Sequence, residues 1–591
     1  MAVGSVAGDP RMADEAYWRT PVEVTRQYTV GRFGQLHYRV AGERFAGVRH
    51  ADGALTSASD AARVPLVCFH LTPNSSRIYN SLLREMGRDR LVFAIDTPGF
   101  GLSDAPSFNP SISDYAACMG EFIEQMAERY GFSQVDLFGY HTGSKIALIL
   151  ARQRRSSVRR LALVSAPVYT EMELAAQKRG LATPPDDPWP KHGEPLRRRW
   201  QDHWRWRDEL TSTWFVQREV AEGLHNLEQS YRAYTAAFAV QHAEQLPLVS
   251  HPVMILCPGD DLREATLRAK SLIGNGRFIE RWHWSHGFLD VHTEECGQLL
   301  RDFFDGEAED RGDQTVPLAI PEAPTPSPIA GRGFHAGPYG PLHYRLAKGP
   351  SQGAQRPIVL LHMSPNSSRV FDALVPVLAR TRPVLAVDTP GFGESEAPSA
   401  PVGIEQFAAA MLDLLNGLAL AEVDVLGYHT GSMTAIEMAL QAPTRIKHVV
   451  QVSSPVYTPD EQAAARAHYQ PRKLELDGSH LVNAWRSLQT YYGDDVPQAV
   501  MGRNFTSGLR GGPMAHWGHQ AAFGYPLADK LPQVQQPVLI INPEDDLVEE
   551  TRRAPALLKN GRLLDLRGRA HGFMDQMTEE FATILADFLN D

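Results

Sequence analysis

Two stretches, Gly139-Tyr140-His141-Thr142-Gly143 and Gly427-Tyr428-His429-Thr430-Gly431, set an imidazole at the centre of a five-residue frame bounded by glycines. An apolar run precedes each frame (Val135 to Phe138; Val423 to Leu426), and a small-residue, helix-forming run follows. The pattern predicts a strand, a tight turn and a helix, because side chains two before and two after the central residue would strike the neighbouring strand or helix. His141 and His429 then stand at the tip of a sharp elbow, in an active-site mouth. An imidazole so placed can attack an electrophilic carbon, orient or polarise a substrate, ligate a metal, or merely fill the pocket. The sequence leaves these alternatives open.

The elements needed to hold such elbows follow from the hydrophobic pattern. Gln27 to Val40 alternates as a hairpin with Gly34 at its turn, and "LHYRVAG" returns as "LHYRLAKG" from Leu342. Strands are predicted at Leu66 to His70, Leu91 to Asp96, Val135 to Tyr140 and Leu161 to Ser165, with helices from about Ser76, at Ile112 to Tyr130 and at Thr142 to Arg152. Strands alternating with helices of this length imply right-handed crossovers and a mostly parallel sheet. Between 166 and 250 the pattern changes to polar and aromatic helices carrying Trp189, Trp200, Trp204, Trp206 and Trp214, read as a helical cap. Strands resume at Pro252 to Cys257 and Arg277 to Trp282 before a helix over Thr293 to Phe304.

The second half repeats this order, with "PNSSR", "DTPGFG", "GYHTGS" and "PVYT" shared between the copies. The expected layout is a flexible arm over 1–20, a first domain over 21–305, a Pro-rich linker over 306–330 and a second domain over 331–591 with its cap over 454–535. With 43% hydrophobic and 21% charged residues the chain has the composition of a soluble globular protein. A net charge of -11 gives no footprint for nucleic acid or anionic membranes, and no apolar run is long enough for a membrane span. Four scattered cysteines, all in the first half, read as buried free thiols of a cytoplasmic protein.

Taken in order, these motifs resemble the α/β-hydrolase superfamily, in both halves nearly end to end. "HLTPNSSR" and "HMSPNSSR" occupy the place of the family's oxyanion loop, "DTPGFGLSD" and "DTPGFGESE" that of the loop after the fourth strand, and the two elbows that of Gly-x-Ser-x-Gly. Histidine stands where the family has its nucleophile. The resemblance implies two tandem α/β-hydrolase domains, each a twisted, mostly parallel sheet flanked by helices under a helical cap. It places the catalytic carboxylate at Asp261 and Asp546, in "PGDDL" and "PEDDL", and the base at His286 and His571, in "SHGF" and "AHGF". The carboxylate would fix the imidazole tautomer and stabilise the imidazolium. The adjacent Asp260 and Asp545 are expected to be solvated loop residues or turn formers.

Backbone amides at Leu71 and Thr142, and at Met363 and Thr430, are the implied oxyanion donors, with Asn74 and Asn366 either bracing the loop or touching substrate. Arg77 is expected in a structural role at a helix start. Ser144 and Ser432 are poor substitute nucleophiles, being carried away by the helix. No cofactor or metal is expected: a metal on His141, His286 and Asp261 is disfavoured because in this fold the carboxylate stands behind the base. The implied activity is hydrolysis of a small, fairly apolar ester, amide, lactone or activated carbonyl compound. A cofactor-independent lyase or oxygenase using the His-Asp base, and a catalytically silent ligand-binding protein, are the alternatives. The expected partner is a small-molecule substrate, and the duplication predicts an internal pseudo-dimer.

Overall fold

The computed structural model describes residues 24–590 apart from 46, 50–54, 57–62, 182–188, 275, 308–313, 325–330, 352 and 354. The expected arm over 1–20 lies outside the described residues. Two compact units emerge: residues 24–329 without 189–201, and residues 331–590 joined by 189–201. The segment Trp189–Gln201, expected within the first cap, therefore belongs with the second unit.

In the first unit the strands are β1 (Val24–Gly31), β2 (Gly34–Ala41), β3 (Leu66–Phe69), β4 (Val92–Ile95), β5 (Val135–Tyr140), β6 (Val158–Val164), β7 (Val253–Pro258) and β8 (Arg277–Arg281). They form one sheet in the order β1-β2-β4-β3-β5-β6-β7-β8. The β1–β2 and β2–β4 pairs are antiparallel, and every later pair is parallel. The second unit repeats this with β9 (Gly331–Gly337), β10 (Gly340–Ala347), β11 (Ile358–Leu361), β12 (Val384–Val387), β13 (Val423–Tyr428), β14 (Ile446–Val452), β15 (Val538–Pro543) and β16 (Gly561–Leu566), in the order β9-β10-β12-β11-β13-β14-β15-β16.

Helices cover both faces, which is why the central strands are apolar without interruption. Val67 and Phe69 pack with Phe93, Leu137 and Ile146 on one side, while Leu66 and Cys68 pack with Val92, Phe138 and Leu300 on the other. The helix Ile112–Tyr130 begins at a capping box of Ser111 and Asp114 and ends at Gly131, whose left-handed backbone (φ 73°) terminates it. All four cysteines are buried and unpaired.

Strands β6 and β14 begin three residues earlier than the apolar pattern predicts. Charged residues there are compensated across the sheet: Arg159 donates to both oxygens of the buried Asp136 at 2.9 and 2.5 Å, and His448 lies 3.0 Å from the buried Asp424. Of the described parts of the expected linker, 306–307 and 314–324, the latter is docked and not a free spacer. The Val316 amide donates to the Leu248 carbonyl (2.9 Å), the Leu318 amide to that of Arg152 (3.1 Å), and the Arg32 guanidinium to that of Pro321 (3.1 Å).

Candidate active site

Each elbow is built as the glycine spacing requires. A Cβ on Gly139 would lie 2.4 Å from the Gly143 carbonyl oxygen, and one on Gly143 would lie 2.0 Å from that of Phe69 at the end of β3. The same contacts recur at Gly427 and Gly431, at 2.1 and 2.2 Å. The turn then forces the tip residue into a conformation side chains rarely adopt: φ is 48° at His141 and 49° at His429. Helices Thr142–Gln153 and Thr430–Gln441 start immediately after the tips.

The tip imidazoles meet partners that the sequence reading had set aside. His141 Nε2 lies 3.0 Å from Asp260 Oδ2, and His429 Nε2 lies 2.9 Å from Asp545 Oδ2. Asp260 and Asp545 are thus not solvated loop residues: they are 3% and 8% exposed and directed into the site. Each is fixed from behind. Ser165 Oγ donates to Asp260 Oδ2 and Ser453 Oγ to Asp545 Oδ2, both at 2.5 Å, while the Leu262 and Leu547 amides hold the other oxygens at 3.0 and 2.9 Å. Ser165 and Ser453 reach this position through positive φ, 52° and 58°, at the ends of β6 and β14. A signal for them existed in the sequence, since each stands shortly before the shared "PVYT".

The second pair lies alongside. His286 Nε2 is 2.9 Å from Asp261 Oδ1, and His571 Nε2 is 3.0 Å from Asp546 Oδ1. Their other ring nitrogens face phenols: Tyr140 Oη is 3.4 Å from His286 Nδ1, and Tyr428 Oη is 2.8 Å from His571 Nδ1. Burial, with Asp260 and Asp545 next in effect, pushes both phenols well above their ordinary range, so they stay protonated. The two imidazoles of each site sit close, with ring centres 5.5 and 5.1 Å apart. In each half the four side chains present nitrogen and oxygen atoms that all lie within 4.8 Å of one another, a set that could hold a metal ion.

Burial raises the affinity of Asp261 and Asp546 for a proton, but the hydrogen bonds and charges of the histidines outweigh it and hold both well below the usual carboxylate range. The reciprocal holds at His286: burial lowers its pKa, and the bond to Asp261 more than restores it, leaving it raised. His429 is likewise raised against its burial, through Asp545.

The remaining expected residues divide. Thr142 and Thr430 stand at the helix starts; Thr142 lines a cavity of about 400 Å³ in the first unit, while the cavity of about 350 Å³ in the second is lined by His429, Asp546 and His571 and not by Thr430. Tyr169, Tyr234 and Phe238 give the first cavity its aromatic wall, and Tyr469, Tyr491 and Tyr492 the second. None of the five tryptophans expected in the first cap lines the first cavity. Met363 and Asn366 face the second cavity. Leu71 is buried, and Asn74 is committed to bracing: its Nδ2 donates to Glu219 Oε2 at 2.6 Å. Ser75 caps the turn that follows and donates to Glu222, whose carboxylate also lies 3.6 Å from the Arg77 guanidinium. Ser144 is buried and donates to the His141 carbonyl, away from the mouth. His70 accepts from the Thr97 amide (2.9 Å) at Nε2, so its Nδ1 donates to the Leu71 carbonyl (2.8 Å), fixing the loop.

A family model described as alpha/beta hydrolase fold matches residues 64–219 and 356–559, together more than half of the chain. Among curated proteins, a proline iminopeptidase of Heyndrickxia coagulans is 28% identical over 185 residues, 30% of this chain. The match spans only 62% of that relative's own length. A pimeloyl-[acyl-carrier protein] methyl ester esterase of Neisseria meningitidis is 28% identical over 250 residues, covering 40% of this chain and 77% of that protein. Among solved structures, the enol-lactonase from Burkholderia xenovorans LB400 superposes with a TM-score of 0.38 at 21% identity, covering 44% of this chain and 100% of that one.

Proposed function

The chain belongs to the α/β hydrolase fold family, and from that premise we propose that each half hydrolyses a small, fairly apolar ester, amide, lactone or activated carbonyl compound by direct attack of water. Relatives named as an iminopeptidase and a methyl ester esterase support carbonyl hydrolysis as the reaction class. The observation that carries the reading is the pairing of the elbow imidazole with a buried carboxylate, His141 with Asp260 and His429 with Asp545. The tip therefore has neither the hydroxyl nor the thiol of an acyl carrier, and its Nε2 is held in the cluster.

Water seated at the cluster bonds through its oxygen to the carbonyl carbon while its proton passes to the imidazole–carboxylate pair of His286 and Asp261. The carbonyl electron pair moves onto oxygen, with the amides of Leu71 and Thr142 as its proposed donors. Collapse breaks the bond to the alkoxide or amine, which takes up the transferred proton.

Short p-nitrophenyl esters and simple lactones test this. The expected outcome is turnover that falls by about 100-fold or more in a His286→Ala, His571→Ala double variant, with no adduct on intact mass during the steady state. A trapped acyl group on His141 or His429 would sink direct attack. Binding of panel compounds without turnover of any would sink the hydrolase itself.

A further inference from the structure

We propose that each cluster is a binding site for one divalent transition-metal ion of the Zn²⁺ class. The ligands would be His141 Nε2, Asp260 Oδ2, Asp261 Oδ1 and His286 Nε2 in the first half, and His429, Asp545, Asp546 and His571 through the same atoms in the second. The proposal deepens the hydrolase reading, and rests on it in assigning the ion, in place of the free His286–Asp261 pair whose atoms become ligands, the role of activating the attacking water. The binding itself stands on the geometry of the side chains.

Around a tetrahedral Zn²⁺ with bonds of about 2.0–2.2 Å, the donors stand about 3.3–3.6 Å apart. The imidazole–carboxylate pairs of each half already stand at 2.9–3.0 Å, and with all four donors within 4.8 Å of one another the widest pair closes by up to about 1.4 Å to surround one ion. A hydrolytic relay uses one carboxylate per base, and Asp261 already fills that place beside His286. Asp260 holds the elbow imidazole, but the relay itself makes no use of this second carboxylate, which is buried at a desolvation cost. As a fourth ligand it has a purpose: two carboxylates and two neutral imidazoles balance one doubly charged cation.

The surroundings match what orients metal ligands. Ser165 and the Leu262 amide hold the two oxygens of Asp260, and the Tyr140 phenol faces the outer nitrogen of His286. Ser453, Leu547 and Tyr428 do the same in the second half, under a cap of different sequence. Two nitrogens with two oxygens select ions such as Zn²⁺ or Co²⁺ over Mg²⁺ or Ca²⁺, which prefer all-oxygen shells.

The test uses the full chain, stripped with chelator and titrated with Zn²⁺ by calorimetry and with Co²⁺ by visible absorption. Wild type is expected to take up two ions per chain. Asp260→Asn leaves one, and Asp260→Asn with Asp545→Asn leaves none. The untouched half reports folding within the same molecule. Ser165→Ala, which removes no ligand, is expected to weaken the first site by about 10–100-fold. Wild type that binds no ion, or uptake unchanged in the double variant, overturns the proposal. Loaded protein that turns over no ester or lactone keeps the metal site and fells the hydrolase. Full turnover by stripped protein that takes up no ion does the reverse.

Discussion

At the scale of single residues, the site depends on atoms that are missing as much as on those present. Gly143 and Gly431 stand where a methyl group would overlap a strand carbonyl oxygen at 2.0 and 2.2 Å, and backbone at the sheet centre has nowhere to retreat. Gly143→Ala or Gly431→Ala is expected to cost about 3 kcal/mol in denaturant unfolding of the altered half, whereas Gly180→Ala, with open space around it, should be near neutral. The glycine frame and the tip histidines were legible because turn chemistry is written locally. Asp260 and Asp545 were not. Side by side with Asp261 and Asp546 they look alike in sequence, and only the direction each takes out of β7 and β15 distinguishes a buried partner of the elbow from a carboxylate at the cavity. Ser165, Ser453, Tyr140 and Tyr428 escaped for the same reason, since their roles exist only where three strand ends converge.

At the scale of elements, the two halves hold the loops that follow β3 and β11 differently. In the first, the cap helix Thr213–His225 reaches down through Glu219 and Glu222 to Asn74, Ser75 and Arg77. In the second, Ser367 meets Ser507 at 3.2 Å and Asn366 is left to face the cavity. Glu219→Ala is expected to lower the stability of the first half by about 1.5–3 kcal/mol, visible as a shifted unfolding midpoint, because it strands the buried Asn74 amide.

The elbow helices differ as well. Lys145, whose counterpart is Met433, is buried and donates to the carbonyls of Ala237 and Val240, each at 2.6 Å. Burial lowers its pKa to about 7. Between there and about 10.4, the value in an unfolded chain, the unfolded state binds more protons, so this lysine makes stability rise with pH across the window. The difference in unfolding free energy between wild type and Lys145→Met is expected to slope over that interval and flatten below it. Strand and helix spans were read closely from periodicity, with Ile112–Tyr130 and Val135–Tyr140 coinciding residue for residue. The starts of β6 and β14 were missed because Arg159 and His448 look like loop residues until their cross-strand carboxylates are seen.

At the scale of the whole molecule, duplication supplies two sites with the same four side-chain types, two histidines and two aspartates, beneath unlike walls. Silencing one half by His286→Ala, the other by His571→Ala, and assaying an ester panel is expected to give two different selectivity profiles. Identical profiles would mean that the cavity walls do not select. The tandem architecture was legible because the repeated motifs fall in the same order twice. Cap assignment was not, since helix polarity alone does not say which unit a segment joins, and 189–201 groups with the second. Among the described residues no helix is long and apolar enough to cross a membrane.

The docked strap at 314–324 bears on anyone wishing to divide the chain. A first-half fragment ended at Phe304 would discard Thr315, whose Oγ1 accepts from the Ser250 amide at 3.0 Å, together with the mates of the Leu248 and Arg152 carbonyls and the Arg32 guanidinium. Proteolysis or recloning between 325 and 330 keeps that edge intact, and a fragment cut there is expected to melt higher than one cut at the end of the last helix.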